Sequence, residues 1–478
     1  MRRYDCLIDG REVPAADARR FEMICPADGT PFASVARAGT AEVDAAVAAA
    51  RRALETGAYG RMTPTERGRV LSRMAEAVRD RHGELAALEA MDCGKPTKQA
   101  ATDITCLARY LEFYGGAADK VHGLQIPFLN DWLVTGIREP HGVTAHIIPW
   151  NYPAQIFGRS VGAAIAMGNA CVLKPAEDAG LSCLEVAELA LDCGLPPGGL
   201  NVVTGIGEEA GAALAHHPDI DFVSFTGSPE VGTLIQKAAA ERTIGCTLEL
   251  GGKSAQVVFA DADLDKALPI ITNAVIQNAG QTCSAGSRVL IERSAFEGVT
   301  AKLAERFSAL RVGTHAMDLD LGPLINRQQH ERVARFVERA ADLPLLAEGR
   351  LAADLPAGGF YTPPRLYGPV PPDHVLAQEE VFGPVLAAIP FDDEADAVRI
   401  ANGTAYGLVA GVWTRDGGRQ LRVARRLRAG QVYVNGYGAG GGIELPFGGV
   451  KRSGHGREKG FEALYEFSQL KTIAIHHG

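Results

Sequence analysis

Between residues 143 and 259 short apolar runs alternate with stretches of helical period, and no other feature restricts the fold of this chain as much. The apolar runs are 143–148, 170–173, 200–203, 222–225, 247–250 and 255–259, with helical patterning over 181–191 and 231–240. Strands apolar at consecutive positions are buried on both faces, which calls for a parallel sheet covered by helices on either side. A second alternating region runs from about Leu264 to about Val434. It carries a helix over 264–278, a strand over 289–291 and helices near 301–310 and 328–341. Helical periodicity also marks the first ninety residues, a β-type segment occupies 133–137, and 471–475 reads as a terminal strand. A length of 478 residues fits two or three structural units. The expectation is two α/β units.

Composition excludes several classes of function. Net charge is -9, with no block of like charge, so nucleic acid is not an expected partner. Nine cysteines are scattered without a Cys-x-x-Cys pair, which argues against a disulfide framework and a structural zinc site. The pairs His216-His217 and His476-His477 have no further ligands beside them, and no metal is expected. The start Met1-Arg2-Arg3-Tyr4-Asp5 has no apolar stretch of the signal-peptide kind. The longest apolar candidate for a membrane span, 161–173, is interrupted by Asn169 and falls short of the roughly 20 residues needed. A cytoplasmic protein that binds no membrane is expected.

Three segments carry chemistry-bearing residues. Cys283 stands in Gly280-Gln281-Thr282-Cys283-Ser284, a small polar turn past a helix and before a strand, where a thiol can face a cleft. A lone cysteine is more often a small buried apolar residue, and the other eight fit that description better. Glu249 ends an apolar strand in Thr247-Leu248-Glu249-Leu250-Gly251-Gly252. A carboxylate there is costly to bury, so it is turned to solvent or held for a task. The two glycines permit a sharp bend and close approach of the backbone to something. Asn151, in Pro149-Trp150-Asn151-Tyr152-Pro153, follows the strand that begins at Val143. Ligands of open α/β sheets bind at that edge, and an amide donor there could hold an oxyanion. A plain turn asparagine between prolines is the alternative.

Together with Lys174-Pro175-Ala176-Glu177, Phe225-Thr226-Gly227-Ser228, Glu379-Glu380-Val381-Phe382-Gly383-Pro384 and Pro446-Phe447-Gly448-Gly449, these segments resemble the aldehyde dehydrogenase superfamily. The resemblance keeps the family's order and runs from about residue 20 to the C-terminus. It implies two doubly wound parallel-sheet domains joined by a small bridging β-hairpin. Residues 1–118 and 141–251 would form the NAD(P)-binding domain and 252–452 the catalytic domain. Segments 119–140 and 453–478 would bridge subunits of a homodimer or homotetramer.

The resemblance further implies oxidation of an aldehyde to a carboxylic acid with NAD(P)+, in which Cys283 is the nucleophile, Glu249 the general base and Asn151 an oxyanion donor. Lys174 and Glu177 would hold the adenosine ribose. Gly227, Ser228 and Gly232 would place the pyrophosphate at a helix start. Glu380 would bond the nicotinamide ribose and Phe382 would pack beside the ring, and Trp150 would also belong to the cofactor site. A carboxylate at Glu177 accepts from ribose hydroxyls and repels a 2′-phosphate, which favours NAD while leaving NADP possible. Gly205-Ile206-Gly207 nearby reads only as a turn.

Arg159 falls on the helix opening the substrate tunnel, where semialdehyde-acid dehydrogenases carry arginine, so it would bind a substrate carboxylate or pair internally with an acid. Against the first, Gln277 stands where succinate semialdehyde enzymes have a second arginine, and Gly438-Ala439-Gly440-Gly441-Gly442 lacks the expected serine pair. Glu458 resembles an acid on a water path to the base, or else a partner of Arg457 or a lysine. Acyl transfer to coenzyme A and a non-catalytic binding role are the rival classes; the presence of Glu249, Cys283 and Asn151 speaks against both.

Overall fold

The computed structural model describes residues 1–438 and 442–478. Its first sheet contains the parallel strands β1 (Val143–Ile147), β2 (Ala170–Lys174), β3 (Leu200–Val202), β4 (Phe222–Thr226) and β5 (Gly245–Glu249). Their order across the sheet is β5-β4-β1-β2-β3, with antiparallel strands adding to both edges to make eight. The chain builds outward from β1 in one direction, then returns to lay β4 on its other side. That reversal opens a crevice at the carboxyl ends of β1 and β4.

The second sheet runs β8-β9-β7-β6-β10-β11, with Leu345–Glu348 antiparallel at the β8 edge. Its strands are β6 (Ala255–Val258), β7 (Arg288–Glu292), β8 (Arg365–Tyr367), β9 (Val385–Phe391), β10 (Val409–Trp413) and β11 (Gln431–Val434). Each of the two main sheets lies in its own apolar core. Nearly every residue of β1, β2, β4, β6, β7, β9 and β10 is buried, which is why these strands read as unbroken apolar runs rather than as alternation.

The apolar run 161–173 is two elements. It covers the end of α1 (Pro153–Met167) and the start of β2, with Gly168 in the left-handed region between them. It is hydrophobic because α1 is buried on nearly all sides, Gln155 excepted. No helix among the described residues is long and apolar enough to cross a membrane.

Helix α2 (Leu181–Asp192) packs on the first sheet, and α3 (Pro229–Arg242), which starts from the end of β4, reaches the site with its first residues. The helix expected over 264–278 is shorter. It is α4 (Leu264–Ile276), followed by a tight turn over Gln277–Gly280 in which Asn278 and Ala279 take left-handed φ of 49° and 54°. The expected segment 133–137 lies inside the longer strand Trp132–Pro140. It pairs with Leu124–Ile126 on one side and Ser468–His476 on the other, a three-stranded sheet apart from the two main ones.

Candidate active site

A cavity of about 980 Å³ opens where the carboxyl edge of the first sheet meets the amino edge of the second. From the first sheet come Trp150 and Asn151 after β1, Thr226 at the end of β4 with Gly227 after it, and Glu249 at the end of β5. From the second come Cys283 ahead of β7, Glu380 and Phe382 ahead of β9, and Tyr433 on β11. Residues more than a hundred positions apart thus converge on one space.

The Cys283 loop is fixed from several sides. The left-handed turn at Asn278 lets its side-chain amide donate to the Asn151 carbonyl at 2.9 Å, while its N–H donates to Gln99 Oε1 at 2.9 Å. Asn151 Nδ2 in turn donates to the Gln281 carbonyl at 3.0 Å. Gln281 Oε1 accepts from the Ile325 N–H at 2.9 Å. The close approach anticipated at the Gly251-Gly252 pair is to this loop and to Glu380. A Cβ at Gly252 would collide with the carbonyl oxygen of Cys283, and one at Gly251 with the Glu380 carboxylate. The Gly252 N–H donates to Glu380 Oε1 at 2.9 Å.

Asn151 is also held from behind by residues that sequence reasoning missed. Lys95, fully buried, donates to the Asn151 carbonyl at 2.9 Å and to Asp103 at 2.5 Å, with Glu89 at 3.6 Å. Its ammonium lies over the Tyr152 ring, whose hydroxyl meets Thr282 Oγ1 at 2.7 Å. A buried cation is tolerable only when paired in this way. Lys95 follows a helix in Gly94-Lys95-Pro96 and has no periodic signature, so nothing in the sequence marked it.

Cys283 is half-buried in the cavity wall. Burial pushes its thiol up to about 11, while the Arg159 charge pulls it down. Glu249 is almost wholly enclosed, and neither carboxylate oxygen has a hydrogen-bond partner among the described residues. Burial, aided by the charge of Glu458, raises its carboxyl well above the usual carboxylate range, opposed by Arg159. Gly448 packs so closely that a Cβ there would sit 2.7 Å from Glu249 Oε1.

Arg159 lines the cavity, yet its Nε edge is ion-paired with Glu458, which is fully buried behind it. The internal pairing of Arg159 is therefore observed. Glu458, in contrast, pairs with Arg159 rather than with Arg457, whose guanidinium donates instead to the carbonyls of Gly449 and Gly456. Lys459, unremarked in the sequence, also lines the cavity, and burial lowers its ammonium to about 8. Gln277 lines it too, and its carbonyl accepts from Thr282 Oγ1 at 3.3 Å. The glycine-rich stretch is mostly beyond description, since 439–441 lie outside the described residues.

At the other end of the cavity, Ser228 caps α3 by accepting from the Val231 N–H at 3.2 Å. Trp150 and Phe382 meet edge to face with ring centroids 5.5 Å apart. Burial pushes the Glu380 carboxyl up to about 7. Lys174 pairs with Glu177 at 2.6 Å, and neither is among the described residues that line the cavity, although the next residue, Asp178, is. Gly207 is more than a turn residue: it opens the short helical segment Gly207–Gly211, and its N–H donates to Glu177 Oε1 at 3.2 Å. A Cβ at Gly207 would meet nothing nearer than that oxygen at 3.7 Å, so there is open room beside the Lys174–Glu177 pair. Gly232 sits against Leu250 and lets α3 pack close to the sheet.

The model of the aldehyde dehydrogenase family matches residues 13–473. The NADP/NAD-dependent aldehyde dehydrogenase PuuC of Escherichia coli (strain K12) is 40% identical over 98% of this chain and 94% of its own length. A crystal structure from Burkholderia cenocepacia, provisionally named an aldehyde dehydrogenase, is 61% identical with a TM-score of 0.98, covering 99% of this chain and 100% of that one. The NAD+ complex of the Bacillus cereus aldehyde dehydrogenase is 38% identical with a TM-score of 0.97, covering 100% of this chain and 97% of that one. Similarity of this extent in sequence and fold means that the chain belongs to the aldehyde dehydrogenase family, and it is an NAD(P)-dependent oxidoreductase of aldehydes.

Proposed function

We propose that the cavity oxidises an aldehyde through a thioester on Cys283, with Asn151 holding the oxyanion and Glu249 activating water. The observation that carries this is the convergence of those three residues on one cavity while Asn151 and the Cys283 loop are hydrogen-bonded to each other. The thiol gives its proton to water, and the sulfur adds to the aldehyde carbon as the carbonyl π bond opens onto oxygen. The Asn151 amide and the Cys283 N–H stabilise the resulting alkoxide. A bound nicotinamide supplies the hydride acceptor as the carbonyl reforms, leaving the thioester. Glu249, enclosed and with neither carboxylate oxygen hydrogen-bonded among the described residues, then takes a proton from water as its carboxylate, which burial makes more basic than an exposed one. Hydroxide adds, the carbon–sulfur bond breaks and the carboxylic acid leaves.

The residues present fit a dinucleotide. Glu177 and Lys174 would hold the adenosine ribose in the room left beside Gly207. Gly227, Ser228 and the start of α3 would take the pyrophosphate, with Gly232 keeping that helix close. Glu380 would bond the nicotinamide ribose, with Trp150 and Phe382 beside the ring. The Glu177 carboxylate makes NAD the preferred cofactor. In domain terms, 1–118 and 141–251 bind cofactor, 252–452 carries the thiol, and 119–140 with 453–478 join subunits into a homodimer or homotetramer, all in the cytoplasm.

A carboxylate-bearing aldehyde is the second reading, favoured by two cations, Arg159 and Lys459, in the cavity wall. Glu458 already occupies one edge of Arg159, so a neutral aldehyde is the first. The test is reduced-cofactor absorbance with NAD and NADP across neutral and acidic aldehydes, for wild type, Cys283→Ala and Glu177→Gln. Turnover should vanish in Cys283→Ala, and Glu177→Gln should raise the NADP-to-NAD ratio of kcat/KM. Undiminished turnover in Cys283→Ala would end the proposal.

A further inference from the structure

Behind the cavity wall runs a chain of buried polar side chains that the reaction steps above leave unused. Glu458 pairs with Arg159 through Oε2, and through Oε1 it accepts from Ser224 Oγ at 3.3 Å. Ser224 Oγ lies 2.9 Å from Ser160 Oγ, which lies 2.7 Å from His146 Nδ1. His146 Nε2 is 2.9 Å from Thr144 Oγ1. Thr144 and His146 are on β1, Ser160 on α1 and Ser224 on β4, so two strands of the first sheet and the helix between them in the chain contribute. All five residues are at most 2% exposed. Sequence analysis gave His146 no task, and its nearest aromatic neighbour, Phe467, only stacks on it at 5.4 Å.

Counting protons gives the chain a direction. A hydroxyl has one hydrogen to donate. Ser224 gives its hydrogen to the Glu458 carboxylate, so it must accept from Ser160. Ser160 has then spent its own and must accept from His146. Nδ1 is therefore the protonated nitrogen, and Nε2 is left bare, facing Thr144 Oγ1, whose one hydrogen also has the Ala170 carbonyl at 3.5 Å and Cys171 Sγ at 3.7 Å within reach. Burial pushes the imidazole down to about 3, which keeps the ring neutral as that pattern requires. Among the described residues, Glu458 is the one carboxylate that these hydrogen bonds join to His146.

We infer that His146 is a positioning residue: as its neutral Nδ1–H tautomer it orients the Glu458 carboxylate through Ser160 and Ser224, and Glu458 thereby holds Arg159 in the cavity wall that carries Cys283. The inference rests on the cavity being the catalytic centre. A side chain three hydrogen bonds removed from Glu458 thus sets the placement of a cation that acts on both Cys283 and Glu249.

Two measurements on the full chain test it. In protein with 15N-labelled histidine, the His146 signal is the one lost in His146→Gln. It should show Nδ1 protonated and Nε2 bare, unchanged across the neutral range. An Nε2–H tautomer or a titrating ring would overturn the inference. The second measurement cuts the chain at its last link. Ser224→Ala should lower kcat/KM by about tenfold in wild type but by less than about twofold in Glu458→Gln, because residues acting through one another are not additive. Equal losses in both backgrounds would also overturn it, as general loosening of the fold would produce them. Turnover surviving in Cys283→Ala would sink the site assignment instead, a failure distinct from either of these.

Discussion

Two buried carboxylates near one cavity, Glu249 and Glu458, are distinguished by their partners. Glu458 has Arg159 and Ser224, whereas Glu249 has no hydrogen-bond partner among the described residues. A paired acid is held in place, and an unpaired one in an enclosed site is available to take a proton. The thiol obeys the same electrostatics. Because burial lifts Cys283 to about 11, its reactive thiolate is a minor form of the cofactor-free protein at neutral pH. Below that value each pH unit brings about ten times more thiolate, so alkylation of Cys283 by iodoacetamide should rise steadily from neutral pH to beyond 9. A plateau reached near neutrality would show that the thiol is already ionised. Of the residues gathered here, Cys283, Glu249 and Asn151 were legible as candidates only as a set, through the order of the segments that carry them, since each taken alone left a plain structural reading open. Lys95, Lys459 and the partner of Arg159 were not, because a buried charge announces itself only through a neighbour that the sequence places far away.

At the level of elements, the strands were legible and their ends less so. A strand buried on both faces prints its whole length as apolar residues, which is why β1, β2 and β4 were placed to within a residue or two. The end of α4 was not, since the left-handed turn at Asn278 and Ala279 depends on side-chain bonds to Asn151 and on Gln99. That turn and the Gly251-Gly252 bend together hold the Cys283 loop, so their glycines are sensitive positions. Gly252→Ala should cost at least about a hundredfold in kcat by displacing the Cys283 backbone, since a small misplacement of reacting groups is that costly. Gly116→Ala, on the helix Thr97–Ala117 with open space around it, should leave activity intact and raise stability by up to about 1 kcal/mol. Steady-state rates and thermal melts of both variants check this. A Gly252→Ala enzyme with wild-type kcat would mean that the loop does not need that contact.

Over the whole molecule, the two α/β layers were readable from their alternating pattern, but their meeting face was not, because it is made by the opposite edges of two sheets. The small third sheet leaves Leu124, Ile126, Leu133, Leu470, Ile473 and Ile475 exposed, an unusual concentration of apolar side chains on one element. As subunit contact it would be covered, so light scattering at micromolar concentration should give a multiple of the 50.6 kDa chain mass. Ile473→Asp should reduce that mass, and a monomeric wild type would refute the bridging role. The central claim, a thioester on Cys283 released by Glu249, is tested most directly by intact-mass and peptide mass spectrometry of Glu249→Gln mixed with NAD+ and a reactive aldehyde. One acyl group on the peptide containing Cys283, formed with a single equivalent of reduced cofactor and then hydrolysed slowly, is the predicted result. Rapid steady turnover without an adduct, or an adduct on another residue, would contradict it.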